Sequence, residues 1–175
     1  RLVLRGVELT GASWLGLDVG RSTQISSHGA LGYAMVASAD VGQALNLAER
    51  YSSLRLQITR FSVERGNGRV QLRIEDTLAW GDIDEYIHSH IIGAICLLLE
   101  TVSGMPLPDT RVAFTYPAPA WADEYATRLR GVTLEFGASA SMLDIPESSA
   151  SNPCITADAS ACRQAVRLCE RAEAR

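Results

Sequence analysis

The most regular pattern in the chain is an alternation of apolar and polar residues over positions 55–76. Two alternating runs flank the sequence GNG at 66–68, where an Asn-Gly pair favours a two-residue hairpin turn. The alternation therefore predicts a β-hairpin with one buried and one polar face. A one-residue bulge between Ile58 and Phe61 is predicted where the alternation slips. Arg69, at a polar position of the hairpin, is expected to tolerate replacement by alanine.

A long apolar segment follows the hairpin, over positions 81–104. Acidic residues crowd its start, as is typical of a helix N-terminus, and Asp82 or Asp84 is the predicted N-cap. Gly104 is suited to end the helix. The middle, IIGAICLLL, is apolar on all sides, which predicts a buried central helix because a surface helix would need a polar face. We expect this helix, over 83–103, to pack against the inner face of the sheet.

Shorter helices are predicted before the hairpin. Four glycines divide the first 20 residues into short helical pieces, the last of which ends at Gly20 as a C-cap. Ser26 and Ser27 are predicted to cap a second helix, and Asp40 is predicted to cap the helix that follows it.

The second half of the chain mixes strands and helices. The patterns predict a strand over 110–116, a short helix over 120–130, strands over 131–136 and 138–146, and a helix over 158–174. The predicted fold class is α+β: an antiparallel β-sheet, made of the hairpin and two to three further strands, packed on the long central helix, with an N-terminal helical segment and a C-terminal helix.

Length and hydropathy predict a single domain over 1–175. No apolar run in the sequence reaches the ~18 residues of a membrane span, and no signal peptide opens the chain. We therefore predict a cytoplasmic protein without membrane contact. Since the chain begins with Arg1 and not with Met, we interpret it as part of a longer protein.

Charge and cysteine usage exclude several functions. A net charge of −4 does not suit a nucleic-acid surface, so this chain is predicted not to retard duplex DNA specifically in a gel-shift assay at near-physiological salt. The four cysteines form no CxxC pair and no metal-finger spacing, and are predicted to be reduced structural thiols. The sequence predicts no metal site and no cofactor.

Two stretches could suggest enzymes. The sequence LGLDVGRST at 15–23 is similar to the first phosphate loop of actin-like kinases, but the chain has no second Asp-Gly motif and no GxxxxGK[ST] loop. The alternative, a helix end, is preferred. Ser27, His28 and Asp40 could form a catalytic triad, but Ser27 lacks the GxSxG elbow of such nucleophiles.

The polar residues of the central helix have simple explanations too. His88 and His90 are two positions apart, so on a helix they point in nearly opposite directions and would chelate a metal poorly. His90 is interpreted as a hydrogen-bonded core histidine. Asp82, Asp84 and Glu85 are interpreted as a charged helix start. No catalytic residue is assigned, and the chain is predicted not to be an enzyme.

Three blocks resemble a known family of regulators. Residues 29–54, GALGYAMVASADVGQALNLAERYSSL, resemble the effector domain of AraC/XylS-type transcriptional regulators, in the arabinose-binding-like branch that includes ornithine-utilisation regulators. Residues 112–129 and 132–146 resemble two later blocks of the same domain, in the same order. The chain departs from the family pattern at 129–131, where Leu-Arg-Gly replaces a usual Phe-Gly-Cys, and at Ser141, which replaces a frequent Asn.

The resemblance implies the ligand-sensing regulatory domain of a bacterial DNA-binding transcription factor. It implies a small-molecule effector, DNA contact only through a separate C-terminal helix-turn-helix domain, further helices before Arg1, and a homodimer. Amino acids, fatty acids and small aromatic compounds all remain open as effectors, and a ligand-independent dimerisation module or a small enzyme are the alternatives. The effector-binding residues expected near the hairpin, the central helix and the strand after it are Tyr33, Arg73, Trp80, Tyr86, His90 and Tyr116.

Overall fold

The computed structural model of the protein describes residues 1–106 and 108–174. Its helices are α1 (Leu2–Thr10), α2 (Leu15–Arg21), α3 (Gly29–Val36), α4 (Val41–Tyr51), α5 (Asp84–Ser103), α6 (Asp123–Arg128), α7 (Glu147–Ala150) and α8 (Ala159–Glu173). Its strands are β1 (Thr59–Gly66), β2 (Arg69–Asp76), β3 (Arg111–Phe114), β4 (Thr133–Phe136) and β5 (Ser141–Pro146). The predicted α+β class is confirmed.

The five strands form one sheet in the order β1-β2-β5-β3-β4. Strands β1 and β2, β2 and β5, and β3 and β5 pair antiparallel, as predicted. Strands β3 and β4 pair parallel, and helix α6 lies between them in the chain. A parallel pair needs such a crossover because a tight turn can only reverse the chain. The sheet is therefore mixed, although most of its pairs are antiparallel.

The hairpin turn is confirmed, but the bulge is wrong. Asn67 and Gly68 have φ angles of 54° and 73°, the positive values that a type I′ turn requires at both central positions. Pairing runs without interruption from Thr59 to the turn. Ile58 precedes β1, so the slip in the alternation marks the start of the strand.

Arg69 is more firmly held than its polar position suggests. Its Nε donates to Oδ1 of Asp144, and its Nη2 donates to the backbone oxygens of Asp109 at 2.8 Å and Asp144 at 3.1 Å. The Asp144 side chain is only 8% exposed. Removing the guanidinium would leave this buried carboxylate without its main partner. We therefore expect Arg69→Ala to destabilise the domain, and the tolerance expected from the sequence does not fit these contacts.

Helix α5 runs through the centre of the domain. One continuous core joins Ile92 and Leu99 of α5 to Leu72 and Leu143 of the sheet, as predicted. Gly104 ends the helix with a φ angle of 74°, which confirms the predicted C-cap. The predicted aspartate N-cap is wrong, because a short 3₁₀ turn over 81–83 leads directly into α5 and no side chain caps it.

The segment Gly81–Ser103 is long and apolar enough to cross a membrane by length and composition alone, with a mean hydropathy of 1.3. In the structure, 67% of an apolar 18-residue stretch of this segment is buried inside the fold. This burial is what the central position of α5 requires, since a core helix is apolar for the same reason as a membrane span.

Helices α2 and α5 cross at backbone contact. A Cβ atom added at Gly16 would overlap the carbonyl of Tyr86, and one added at Gly20 would overlap the carbonyl of His90. Gly16 and Gly20 are four residues apart, so they lie on the same face of α2. Gly20 is thus inside α2 and is not a C-cap, and the segment that is similar to a phosphate loop is a helix.

Of two other predicted N-caps, one is confirmed and one is wrong. The backbone N–H of Gln43 donates to Oδ1 of Asp40 at 2.7 Å, which confirms Asp40 as the N-cap of α4. Ser26 and Ser27 lie in a 3₁₀ turn before α3, and neither caps that helix. The 3₁₀ turn supplies the tighter start that replaces a side-chain cap.

Candidate functional site

A cavity of about 580 Å³ opens between α2, α3, α4, α5 and β1. This volume lies in the range of small-molecule sites, about 300–1,000 Å³. Most of the wall is apolar, and its larger side chains are Leu31, Met35, Phe61, Ile91, Ile95 and Leu98. Such a surface is suited to an organic ligand with a substantial hydrocarbon part.

Helix α5 supplies one continuous wall of the cavity. His90, Ile91, Ala94, Ile95 and Leu98 follow the three-to-four-residue spacing that places side chains on one helix face. The close crossing of α2 over α5 brings the end of α2 to the same place, where Val19 and the residues after it form part of the rim. Gly16 and Gly20 thus allow the close helix crossing that helps to shape the cavity, although neither glycine lines it.

The polar groups of the cavity include one arginine and two histidines. Arg55, just before β1, donates from Nη2 to the backbone oxygen of Ser27 at 2.5 Å. His28 and His90 line the cavity from the 3₁₀ turn and from α5. The Nδ1 atom of His90 is buried and has no hydrogen-bond partner among the described residues.

Burial favours the neutral form of both histidines. Desolvation lowers the pKa of His28, and the nearby Arg55 charge lowers it further. Desolvation also lowers the pKa of His90, with a smaller contribution from His28. A neutral imidazole carries one N–H donor and one acceptor nitrogen, so each ring can bind a polar ligand atom in either role.

The two histidines should make the stability of the domain depend on pH. Since their pKa in the folded state lies below the value of 6.5 expected for the unfolded chain, the unfolded state binds more protons as pH falls through 6.5. Their stabilising contribution is present above that pH and is lost below it. We expect His28→Gln/His90→Gln to reduce the loss of unfolding free energy between about pH 7.5 and about pH 5.5 in urea titrations. An equal loss in both proteins would contradict this assignment.

Of the six residues predicted from the sequence, the structure places His90 in the wall of the cavity. Tyr86 lies beside it, with its ring stacked on the imidazole at a centroid distance of 6.3 Å. Tyr33 is 58% exposed on α3, so its side chain faces away from the core. Of these three residues, His90 therefore lines the cavity, and Tyr86 is near it only through its contact with the ring of His90.

The other three predicted residues have partners elsewhere. Arg73 on β2 forms an ion pair with Glu64 at 3.6 Å. Trp80 donates from Nε1 to Oδ1 of Asp76 at 2.9 Å. The structure therefore separates these two from the cavity, and Tyr116 belongs to a distinct buried cluster.

Tyr116 belongs to a hydroxyl network beneath α5. Its Oη lies 2.7 Å from Oη of Tyr125, which in turn lies 2.6 Å from Oγ of Ser89. Burial raises the pKa of Tyr116, and it raises the pKa of Tyr125 to about 12. Both phenols therefore stay protonated at neutral pH, and the network satisfies polar groups inside the core.

The fully buried histidine of α5 is His88, whereas the sequence favoured His90 for that position. His88 is 1% exposed, and its Nε2 lies 3.1 Å from Oδ2 of Asp76. Its Nδ1 lies 3.5 Å from Oδ1 of Asp84. The carboxylates thus lie beside both ring nitrogens of this buried histidine, and the contact with Asp76 connects β2 with α5.

The four cysteines are free and buried, as predicted. Burial raises the pKa of Cys96 to about 12 and that of Cys154 to about 11. The thiolate is the reactive form, so Cys96 and Cys154 are expected to be inert.

Sequence reasoning missed Arg55, His28 and most of the apolar wall. Arg55 occupies the point where the helical period of α4 changes to the alternating period of β1. That change in period was the available signal, because residues between two elements often reach a site that both elements border.

Residues 1–154 match the family described as the arabinose-binding domain of AraC transcription regulators, at the N-terminus of those proteins, and the chain belongs to this family. The resemblance inferred from the sequence blocks is confirmed.

Two individual proteins are similar to the chain. It is 30% identical over 162 residues to the ornithine utilization regulator of Pseudomonas aeruginosa, an alignment that covers 93% of the chain and 48% of that protein. The crystal structure of the transcriptional regulator CdpR from the same species has the same fold, with a TM-score of 0.77 at 20% identity. That match covers 95% of the chain and 54% of CdpR, so the chain spans about half the length of each relative.

Proposed function

We propose that this domain senses a small-molecule effector and controls transcription through a DNA-binding domain in the other half of an AraC-type regulator. The cavity between α2, α3, α5 and β1 is the observation that carries the proposal. An apolar pocket with a few polar groups suits reversible recognition of a small organic molecule. We place the regulator in the cytoplasm, where it reaches DNA, and assign it no enzymatic activity.

The mechanism is a population shift. An effector in the cavity contacts the end of α2, one face of α3 and one face of α5 at the same time. It therefore stabilises the arrangement of these helices that closes around it, and disfavours any arrangement in which they separate. If the DNA-binding half packs differently on the two arrangements, effector binding and DNA binding are coupled, each by the same free energy.

We further propose that the regulator is a homodimer. The structure leaves Leu2 of α1 91% exposed and Leu168 of α8 53% exposed. These side chains offer apolar contacts outside the effector cavity, so dimerisation and ligand binding can occur together. Sedimentation equilibrium of the chain at increasing concentration tests this part of the proposal.

A thermal-shift screen with a metabolite library tests the sensing function. A ligand at about 100 times its dissociation constant adds about 2.7 kcal/mol to the unfolding free energy. Val19 is 37% exposed at the cavity rim, so Val19→Trp should fill the entrance and abolish the shift while the fold is retained. Tyr33→Trp, on the exposed side of α3, is the control and should leave the shift unchanged.

The same experiment addresses the main alternative. If no compound stabilises the parent chain, and the chain dimerises without ligand, then the domain is an interaction module and the proposal is wrong. A shift that survives Val19→Trp would place the ligand outside this cavity.

A further inference from the structure

The titratable side chains that line the cavity are either positively charged or neutral. Arg55 carries a permanent positive charge, and no salt bridge joins it to another described residue. No aspartate or glutamate is among the described residues that line the cavity. A ligand therefore meets a cation and no compensating anion.

This charge pattern discriminates between ligand classes. A protonated amine in the cavity would lose hydration and meet the Arg55 charge, with no carboxylate to offset either cost. A carboxylate would instead be able to pair with the guanidinium by charge-assisted hydrogen bonds. The imidazoles of His28 and His90 can add neutral N–H donors to the same oxygen atoms.

The apolar wall defines the rest of the ligand. Leu31 and Met35 of α3 and Ile91 and Leu98 of α5 form an apolar part of the cavity wall. Burial of hydrocarbon there contributes favourably in proportion to its area. Polar groups of a ligand would stay unpaired against this part of the wall, so it suits the hydrocarbon body of the ligand.

We propose that the cavity binds an apolar monocarboxylate, with the carboxylate at Arg55 and the hydrocarbon part between α3 and α5. The proposal rests on the sensing function proposed above and specifies its ligand class. It excludes diamines and other cationic effectors at this site, and it makes Arg55 the residue that selects for ligand charge.

Calorimetric titration of the 175-residue chain with three matched probes tests the ligand class. Octanoate, octanol and octylamine share one hydrocarbon chain and differ in the charge of the end group. Octanoate is expected to bind at least about tenfold more tightly than octanol, and octylamine is expected not to bind. Phenylbutyrate, used as a fourth probe, shows whether the hydrocarbon part is preferred as a chain or as a ring.

Variants identify the residue responsible. Arg55→Met keeps much of the length of the side chain and removes its charge, and it should weaken octanoate binding about tenfold or more while leaving octanol binding unchanged. Arg60→Met, at an exposed position of β1 that does not line the cavity, is the matched control and should change neither. Because Arg55 also donates to Ser27, far-UV circular dichroism verifies the fold, and His90→Gln, with an expected weaker effect on octanoate alone, provides a second variant.

Three results would overturn the proposal: equal binding of octanoate and octanol, binding of octylamine, or octanoate binding that Arg55→Met leaves intact. If none of these probes binds but another metabolite gives a thermal shift that Val19→Trp abolishes, the carboxylate proposal fails and the sensing function stands. If no compound of any class binds, both fail.

Discussion

Replacing Gly20 by alanine is expected to lower the free energy of unfolding by about 1–3 kcal/mol or more, as overpacking of a tight contact does. In an ordinary helix interior the same replacement stabilises by roughly 1 kcal/mol, because alanine loses less backbone entropy on folding. At Gly20 the added methyl group would overlap the carbonyl oxygen of His90, a backbone atom that cannot rotate away. The whole of α2 would have to move off α5, which would also deform the cavity.

Gly6→Ala is the matched control, since Gly6 also lies inside a helix. Its added Cβ would come 3.3 Å from the end of the Leu15 side chain, which can adjust. We expect this variant to be neutral or slightly more stable in urea unfolding. If Gly20→Ala unfolds at the same urea concentration as the parent or at a higher one, the close crossing of α2 and α5 is wrong.

Replacing Leu98 by alanine is expected to cost about 2–5 kcal/mol, the range for deleting a large aliphatic side chain from a core. Leu98 is 6% exposed and borders both the core and the cavity. For a domain of this size the loss corresponds to a fall in melting temperature on the order of 10 °C. The surrounding side chains can relax into the existing cavity only in part, because helix backbones hold most of its walls.

The control for this variant must be an exposed residue of similar length. Arg69 does not serve, since it binds Asp144, so we choose Arg60→Ala on the solvent side of β1. Differential scanning calorimetry should show Arg60→Ala melting within a degree or two of the parent. If Leu98→Ala behaves in the same way, α5 is a surface helix and the architecture described above is incorrect.

Local patterns in the sequence were sufficient for most elements. The hairpin, the central helix, the Asp40 cap and the Gly104 C-cap all depend on residues close together in the chain, where turn chemistry and periodicity act. The parallel pairing of β3 and β4 was not predicted, because it depends on where α6 places the chain and not on any residue within the strands.

Gly20 illustrates why long-range contacts are harder to predict. A glycine near the end of a helical segment fits a C-cap and a helix crossing equally well, and only the partner helix distinguishes them. The cavity is hard to predict for the same reason. Its wall comes from five elements between Val19 and Leu98, and the aromatic residues that looked most suited to a ligand pack elsewhere. For Arg55 the only signal in the sequence is the change in period between α4 and β1.

A crystal structure of the chain with a compound selected by the thermal-shift screen tests the central claim most directly. The account predicts that the compound occupies the cavity between α2, α3 and α5, with its carboxylate within hydrogen-bond distance of Arg55 and its hydrocarbon part against Leu98. A compound bound on the surface or between two copies of the chain, with the cavity unfilled, would contradict it.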